Sequence, residues 1–419
     1  MPTEDRIAWF RDARFGIFLH WGLYSVLGRN EWSLYLDRWK LSEYAALAGR
    51  FAPERFDASA WARFAAESGA KYMVLTTRHH DGFCLFDSAV SDFTTAKSAA
   101  RRDLVAEYAE ALRRAGVKVG LYYSLGDWRF KGCWQPDRYP DSAAAMVEQA
   151  HAQVRELMTR YGRIDLLWYD GAWWGNDTPA ATAYRSAELN AMVRQLQPHI
   201  IVNDRSGLPE DYGTPECRLE ASSEESRAWE SCLQMDDISW GNVPHSPDLR
   251  TGERIVADMV EVATGAGNLL LNTGPQADGR IRPEEERRIR MAGEWLRRNG
   301  QAIYGSRRSP LSVHGPMGSS NRMSRWIGSK DPRVHYLAAL CWTGPEFFTV
   351  LVDGEVEKVT LLKTGEPVRF KRGPSGRLTF TGLPAEPPDP LCTVFRVTFA
   401  EPPRHMPLKT DGSWLDSPM

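Results

Sequence analysis

The chain has 419 residues, 42% hydrophobic and 25% charged, which is the balance of a folded globular protein with room for one large domain and a smaller one. A net charge of −2 leaves no basic footprint for nucleic acid and no attraction to an anionic membrane, and no run of about 18 apolar residues is present to span one. The six cysteines are scattered without a C-x-x-C pair, against both a zinc cluster and a dense disulfide framework. The polar N-terminus MPTEDRIAWFRDARFG lacks the apolar core of a secretory signal, so the expected location is cytoplasmic.

From residue 14 to about 275, short apolar runs alternate with helical patterns. The runs are RFGIFLHWG (14–22), KYMVLTTRHH (71–80), KVGLYYSLGD (118–127), RIDLLWYDG (163–171), HIIVNDR (199–205), CRLEASS (217–223), WESCLQ (229–234) and NLLLNTGP (268–275). Several are nearly continuous in apolar residues, the signature of parallel strands buried on both faces. Between them SAWARFAAESGA, DLVAEYAEALRRAG, AAAMVEQAHAQVRELMTRYG, TAYRSAELNAMVRQLQ and ERIVADMVEVATGAG read as helices, and PEEERRIRMAGEWLRRNG follows the last run as another. About eight βα units predict an α/β fold, a (β/α)8 barrel over residues 1–305. The sixth and seventh units lack a full helix between them, so an irregular barrel is expected there. After Tyr304, short runs between Gly/Pro turns (RVHYLAALCW, FFTVLVDG, EKVTLLKTG, RLTFTGLP, TVFRVTFA) predict a C-terminal β-sandwich over 306–400, with 401–419 as a tail.

In such a barrel the chemistry sits at the C-terminal ends of the strands. Those ends carry His20 and Trp21; His79 and His80; Tyr122, Tyr123 and Asp127; Trp168 and Asp170; and Asn203, Asp204 and Arg205. The convergence of polar and aromatic groups from five strands is the signal, and the sixteen tryptophans supply either an aromatic core or flat faces for a sugar ring. Asp170 reads as a turn or cap aspartate, or as a carboxylate aimed into the barrel mouth. Glycoside hydrolysis needs a second carboxylate. Glu210, Glu216, Glu220, Glu224, Glu225 and Glu230 are all placed after the fifth strand, and residue type alone does not choose among them. Arg205 either pairs with Asp204 or binds a hydroxyl and keeps a carboxylate ionised. Glu31 and Trp32 stand in the first loop as a surface charge and ring, or as a hydroxyl partner and a packing face. Adjacent histidines on an extended chain point to opposite faces, which disfavours a shared metal. Neutral imidazoles suit sugar hydroxyls, having one donor and one acceptor each.

The segments FGIFLHWGLYSV, EW, AKYMVLTTRHHDGFCLF, GLYYSLGDW, IDLLWYDG, VNDR, DYGTPE, WESC, SWG and GNLLLNTGP, in this order over residues 8–305, resemble the α-L-fucosidases of glycoside hydrolase family 29. The resemblance implies a retaining exo-enzyme acting on terminal α-L-fucosyl groups of oligosaccharides or glycoconjugates through a covalent glycosyl-enzyme, with no cofactor and no metal. It implies Asp170 as nucleophile and Glu216 as acid/base, and places His20, Glu31, Trp32, His79, His80, Tyr123, Trp168, Arg205 and Trp240 around the sugar. Leu27 and Ser33 depart from the family's usual proline and aromatic in the first loop, which leaves the aglycone preference open. Three alternatives remain: the same chemistry on a related sugar such as an α-L-galactoside, a metal-dependent barrel hydrolase using His20, His79, His80 and Asp81, and a non-catalytic carbohydrate-binding protein. Linkage and oligomeric state, a homo-oligomer included, are not fixed by the sequence.

Overall fold

A computed structural model describes residues 3–172, 178–219, 227–312, 323–350, 352–373 and 376–406. Two compact units form, Met1–Arg250 with Leu269–Arg290, and Thr251–Asn268 with Met291–Met419.

The first unit is built on an eight-stranded sheet. Its strands are β1 (Phe15–Leu19), β2 (Tyr72–Arg78), β3 (Lys118–Ser124), β4 (Leu166–Asp170), β5 (Ile201–Val202), β6 (Tyr212–Gly213), β7 (Ala228–Gln234) and β8 (Asn268–Thr273). They are ordered β5-β4-β3-β2-β1-β8-β7-β6. A parallel bridge from Asn203 to Tyr212 joins the two ends of that order, so the sheet closes into a barrel. Every residue of β1, β2 and β8 is buried, which is why these segments carry continuous apolar runs rather than alternation.

The sixth strand departs from expectation. It is Tyr212–Gly213, not the CRLEASS run, whose residues 217–219 are not a strand and whose residues 220–223 lie outside the described ones. A two-residue strand is too short to show hydrophobic periodicity, so the longer run beyond it reads as the more strand-like. Among the described residues between β6 and β7 none is helical.

The helices start where side chains satisfy their first N–H groups. Asp57 accepts from the Ala60 amide ahead of Ala58–Glu67, and Asp103 from the Ala106 amide ahead of Leu104–Arg114. Such a cap stabilises a helix by about 1 kcal/mol. Pro140 opens Pro140–Arg160, where its missing N–H costs nothing. The helix Thr3–Ala13 closes the N-terminal end of the barrel. Its Phe10 packs on Tyr72 and Tyr212, the first residues of β2 and β6, at ring distances of 5.6 and 4.5 Å. Above that plug Phe18, Tyr122, Trp168 and Leu270 fill the interior, leaving the opposite end for polar groups.

The second unit holds a four-stranded antiparallel sheet of Val356–Leu361, Thr393–Phe399, Val334–Ala339 and Ser324–Gly328 in that order. A three-stranded sheet orders Glu346–Thr349, Leu378–Thr381 and Arg369–Arg372. Side chains from both sheets share one core, with Phe380 of the smaller sheet 4.6 Å from Phe395 of the larger. The helix Gly252–Thr264 belongs to this unit, and its Glu261 binds Arg325 at 2.7 Å.

Candidate active site

Parallel strands in register put side-by-side residues on the same face. β3 and β4 pair Tyr122 with Trp168, Tyr123 with Tyr169 and Ser124 with Asp170. Trp168 points into the barrel, so Tyr122 does too; their rings stack 5.5 Å apart at 19°. Two residues on, Asp170 projects into the same interior at the strand's end. Gly171 follows with φ +71, and a Cβ there would come within 2.5 Å of Ser124 Oγ and 3.1 Å of His80 Nδ1. That crowding, together with the left-handed turn, accounts for glycine after the aspartate.

Both Asp170 oxygens are bound. The Tyr122 hydroxyl donates to Oδ2 at 2.9 Å, and Arg205 Nη1 donates to Oδ1 at 3.2 Å. The same Arg205 nitrogen lies 2.8 Å from Glu216 Oε2. Because one nitrogen touches both, the two carboxylate oxygens are separated by no more than 6.0 Å, the limit set by its distances of 3.2 and 2.8 Å.

The DYGTPE segment produces this pairing. Thr214 Oγ1 accepts from Arg205 Nε at 3.0 Å and its carbonyl from Nη2 at 3.2 Å, leaving Nη1 for the carboxylates. Two residues later Glu216 forms a parallel bridge with Cys232 on β7, which fixes its backbone. Asp204 turns instead to Thr214 and Arg227, so the Asp204–Arg205 pair considered from sequence does not form. Glu210 is engaged by Arg194 and Asn190. Glu220, Glu224 and Glu225 lie outside the described residues.

The histidines line the mouth in a chain of ring contacts: His20 to His79 at 5.7 Å and His79 to His80 at 4.0 Å. His20 Nδ1 is paired with Asn272 Oδ1 at 2.7 Å and His80 Nδ1 with Ser124 Oγ at 2.7 Å. His80 Nε2 stands 3.6 Å from Asp170 Oδ2, too far for a hydrogen bond. Among the described residues His79 Nδ1 is buried without a hydrogen-bond partner. Such an atom is expensive unless something else binds it. Burial lowers all three imidazoles, His20 to about 4 and the other two well below their ordinary value. At neutral pH they are therefore neutral, each with a donor and an acceptor. Among the described residues no group of three His, Cys, Asp or Glu comes together to hold a metal ion.

Glu31 is buried, and its Oε2 accepts from Ser239 Oγ at 2.7 Å and from the amides of Trp240 and Gly241 at 3.0 and 3.1 Å. It thereby ties the first loop to the SWG turn and carries Trp240 to within 5.1 Å of the His20 ring. Trp32 faces His80 at 5.7 Å.

Tyr123 must be corrected. It points away from the mouth, where its hydroxyl donates to Gln153 Oε1 at 2.8 Å and receives Arg78. Strand alternation makes Tyr122, not Tyr123, the tyrosine of the site.

The family model described as "Alpha-L-fucosidase" matches residues 3–301. The chain belongs to the alpha-L-fucosidase family. A tissue alpha-L-fucosidase of Bos taurus is 32% identical over 93% of this chain and 87% of its own. The alpha-L-fucosidase isoenzyme 1 of Paenibacillus thiaminolyticus superposes with a TM-score of 0.85 at 32% identity, covering 95% of this chain and all (100%) of its own. A family 29 alpha-L-fucosidase of Bacteroides thetaiotaomicron, trapped as a covalent intermediate with 2-fluoro-fucosyl fluoride, does so at 0.84 and 26% identity, covering 95% and 96%.

In this glycoside hydrolase two supporting residues escaped sequence reasoning. Asn272 bridges His20 and the Trp240 carbonyl, the latter at 2.7 Å. Its place at the end of β8, in LLLNT, was the available signal. Glu230, weighed only as a second catalytic carboxylate, is fully buried inside the barrel, where it accepts from the Tyr72 hydroxyl and from Trp168 Nε1 at 2.9 Å. Trp168 in turn stacks on Tyr122 and carries the Arg205 guanidinium 4.6 Å above its ring. Glu230 thus anchors the indole that supports both groups bound to Asp170.

Proposed function

We propose that the chain hydrolyses terminal α-L-fucosyl linkages with retention of configuration, Asp170 acting as nucleophile and Glu216 as acid/base. The observation that carries this reading is the shared Arg205 nitrogen, which limits the two carboxylate oxygens to 6.0 Å apart. Retaining glycosidases hold their carboxyl groups about 5–5.5 Å apart, whereas inverting ones leave about 6.5–9.5 Å for a water. Asp170 attacks the anomeric carbon while Glu216 protonates the departing glycosidic oxygen. Glu216 then removes a proton from water, which releases fucose and frees Asp170.

Arg205 and Tyr122 hold the Asp170 oxygens in a fixed direction, so attack needs little reorganisation. The neutral histidines offer hydroxyl partners without drawing a counter-charge, and the unpartnered His79 Nδ1 is ready for one. Trp168 with Phe18, ring centroids 5.2 Å apart, supplies an apolar wall for the C6 methyl of a 6-deoxy sugar.

The test is release of nitrophenol from 4-nitrophenyl α-L-fucoside, with and without EDTA, beside an Asp170→Gly variant. Turnover that survives EDTA and falls by several orders of magnitude in the variant is expected, with α-fucose as the first anomer seen by NMR. β-Fucose as the first product, or a variant as active as the parent, would refute the assignment.

A further inference from the structure

Single exposed apolar side chains are ordinary, but exposed rings that pack into a contiguous patch mark a binding surface. Tyr35 is 49% exposed and Trp134 is 47% exposed, yet neither is loose. Their rings stack 5.0 Å apart at 18°, and Trp134 Nε1 donates to the Trp128 carbonyl at 3.0 Å. Tyr35 belongs to the short helix Ser33–Leu36 in the loop after β1, and Trp134 follows the turn Lys131–Cys133 in the loop after β3. Both loops leave the C-terminal ends of barrel strands, the face that carries the site.

The pair is continuous with the catalytic groups. Trp134 lies 6.0 Å from Trp128, which is 5.1 Å from Trp32 and 5.1 Å from the His80 ring. His80 in turn stands beside Asp170. An unbroken aromatic surface therefore runs from the nucleophile outward to solvent. The inner end is closed: His20, Glu31 and His79 are each only 4% exposed. A substrate larger than one sugar must extend past the outer end.

We propose that Tyr35 and Trp134 form a platform for the pyranose to which the fucose is attached, taking the apolar C–H face of that ring. The proposal rests on the fucoside-hydrolase reading above and adds a substrate class to it: oligosaccharides whose penultimate sugar presents a flat hydrogen-bearing face. Flat, preorganised rings suit this task because little side-chain freedom is lost on binding. The competing occupant is a second copy of this chain, since Leu36 and Leu41 nearby are also exposed, at 58% and 47%.

The experiment uses the full-length Asp170→Gly protein, so that binding is read without turnover. Calorimetry gives dissociation constants for fucose and for trisaccharides bearing fucose on a lactose core, with Trp134 intact, as Trp134→Ala and as Trp134→Phe. The ratio of the two affinities is the readout. In Trp134→Ala the advantage of trisaccharide over fucose is expected to shrink about tenfold, and Trp134→Phe, which keeps a flat face, to recover most of it. An unchanged ratio, or equal weakening of both ligands, overturns the platform. So does a shift in oligomeric state on light scattering, which would assign the rings to contact between copies. Failure of the parent protein to bind fucose at all would instead overturn the underlying fucosidase reading.

Discussion

Replacing Glu230 with glutamine separates a buried charge from a buried hydrogen-bond acceptor. Burial raises this carboxyl from 4.5 to about 7, against the pull of the hydrogen bonds from Tyr72 and Trp168. In the unfolded chain the group loses its proton near its ordinary value; in the folded protein it keeps the proton until about pH 7. Across that window the native state binds more protons than the unfolded state, so stability falls as pH rises, and the loss is complete above pH 7. A difference of this size corresponds to about 3 kcal/mol. Glutamine does not titrate but keeps both contacts: its carbonyl accepts from Trp168 Nε1, a donor only, and its amide faces the Tyr72 oxygen, which accepts. Denaturant unfolding of parent and variant should therefore diverge with pH. The variant is expected to gain about 3 kcal/mol on the parent between pH 5 and pH 8, all other titrating groups cancelling in the difference. A pH-independent difference, or a gap that narrows over that range, would refute the buried-charge argument.

Arg205→Lys is expected to lower kcat/KM by about 10²–10³, because an ammonium cannot hold Thr214, stack on Trp168 and span both carboxylates at once; steady-state kinetics on the aryl fucoside checks it. Tyr122→Phe removes one of the two hydrogen bonds to Asp170 and should lower kcat about tenfold with little change in KM. Tyr123→Phe should chiefly lower the melting temperature, since it strips a buried partner from Arg78 and Gln153; a larger kinetic loss in Tyr123→Phe than in Tyr122→Phe would reverse the correction made above. His20, lowered to about 4 by burial, should show a flat NMR chemical shift from pH 5.5 to 8. Its share of stability, about 3 kcal/mol, should vanish as pH falls from 6.5 to 4, where the unfolded chain takes up the proton first.

The barrel was legible because its strands are buried on both faces, so apolar runs such as YMVLTT and LLWY stand out. Tyr212–Gly213 was not, since two residues held mainly by their neighbours carry no periodic signal. Asp170 and Arg205 were legible as polar residues ending apolar runs. The Tyr122/Tyr123 choice turned on side-chain parity, which the sequence does contain: Asp170 and Trp168 share a face, and the register then selects Tyr122. Glu230 was hidden for a different reason. A carboxylate inside a barrel contradicts the expectation that charge is exposed, and only its two donors, from strands far apart in sequence, make the position tolerable.

The contact that best supports the retaining geometry also sets a condition on it. Arg205 Nη1 is closer to Glu216 than to Asp170, 2.8 against 3.2 Å, and an ion pair of this kind stabilises a carboxylate. A proton donor must instead be the carboxylic acid when the glycosidic oxygen arrives. Glu216 has the freedom to change partner: its side chain is 43% exposed, against 15% for Asp170. The substrate's leaving oxygen is thus expected to take the place of the guanidinium at Glu216, while Arg205 stays on Asp170 and Thr214. Glu216→Ala separates the two roles. A dinitrophenyl fucoside, whose leaving group needs no proton, should keep a near-parental first step in the variant, whereas the 4-nitrophenyl and oligosaccharide substrates should lose progressively more. Azide, which needs no general base, should restore turnover of the dinitrophenyl substrate and yield a fucosyl azide of α configuration, formed when azide displaces Asp170 from the β-linked fucosyl-enzyme, the second of two inversions. An equal loss on all three substrates, with no azide product, would remove Glu216 from the acid/base role while leaving Asp170 in place.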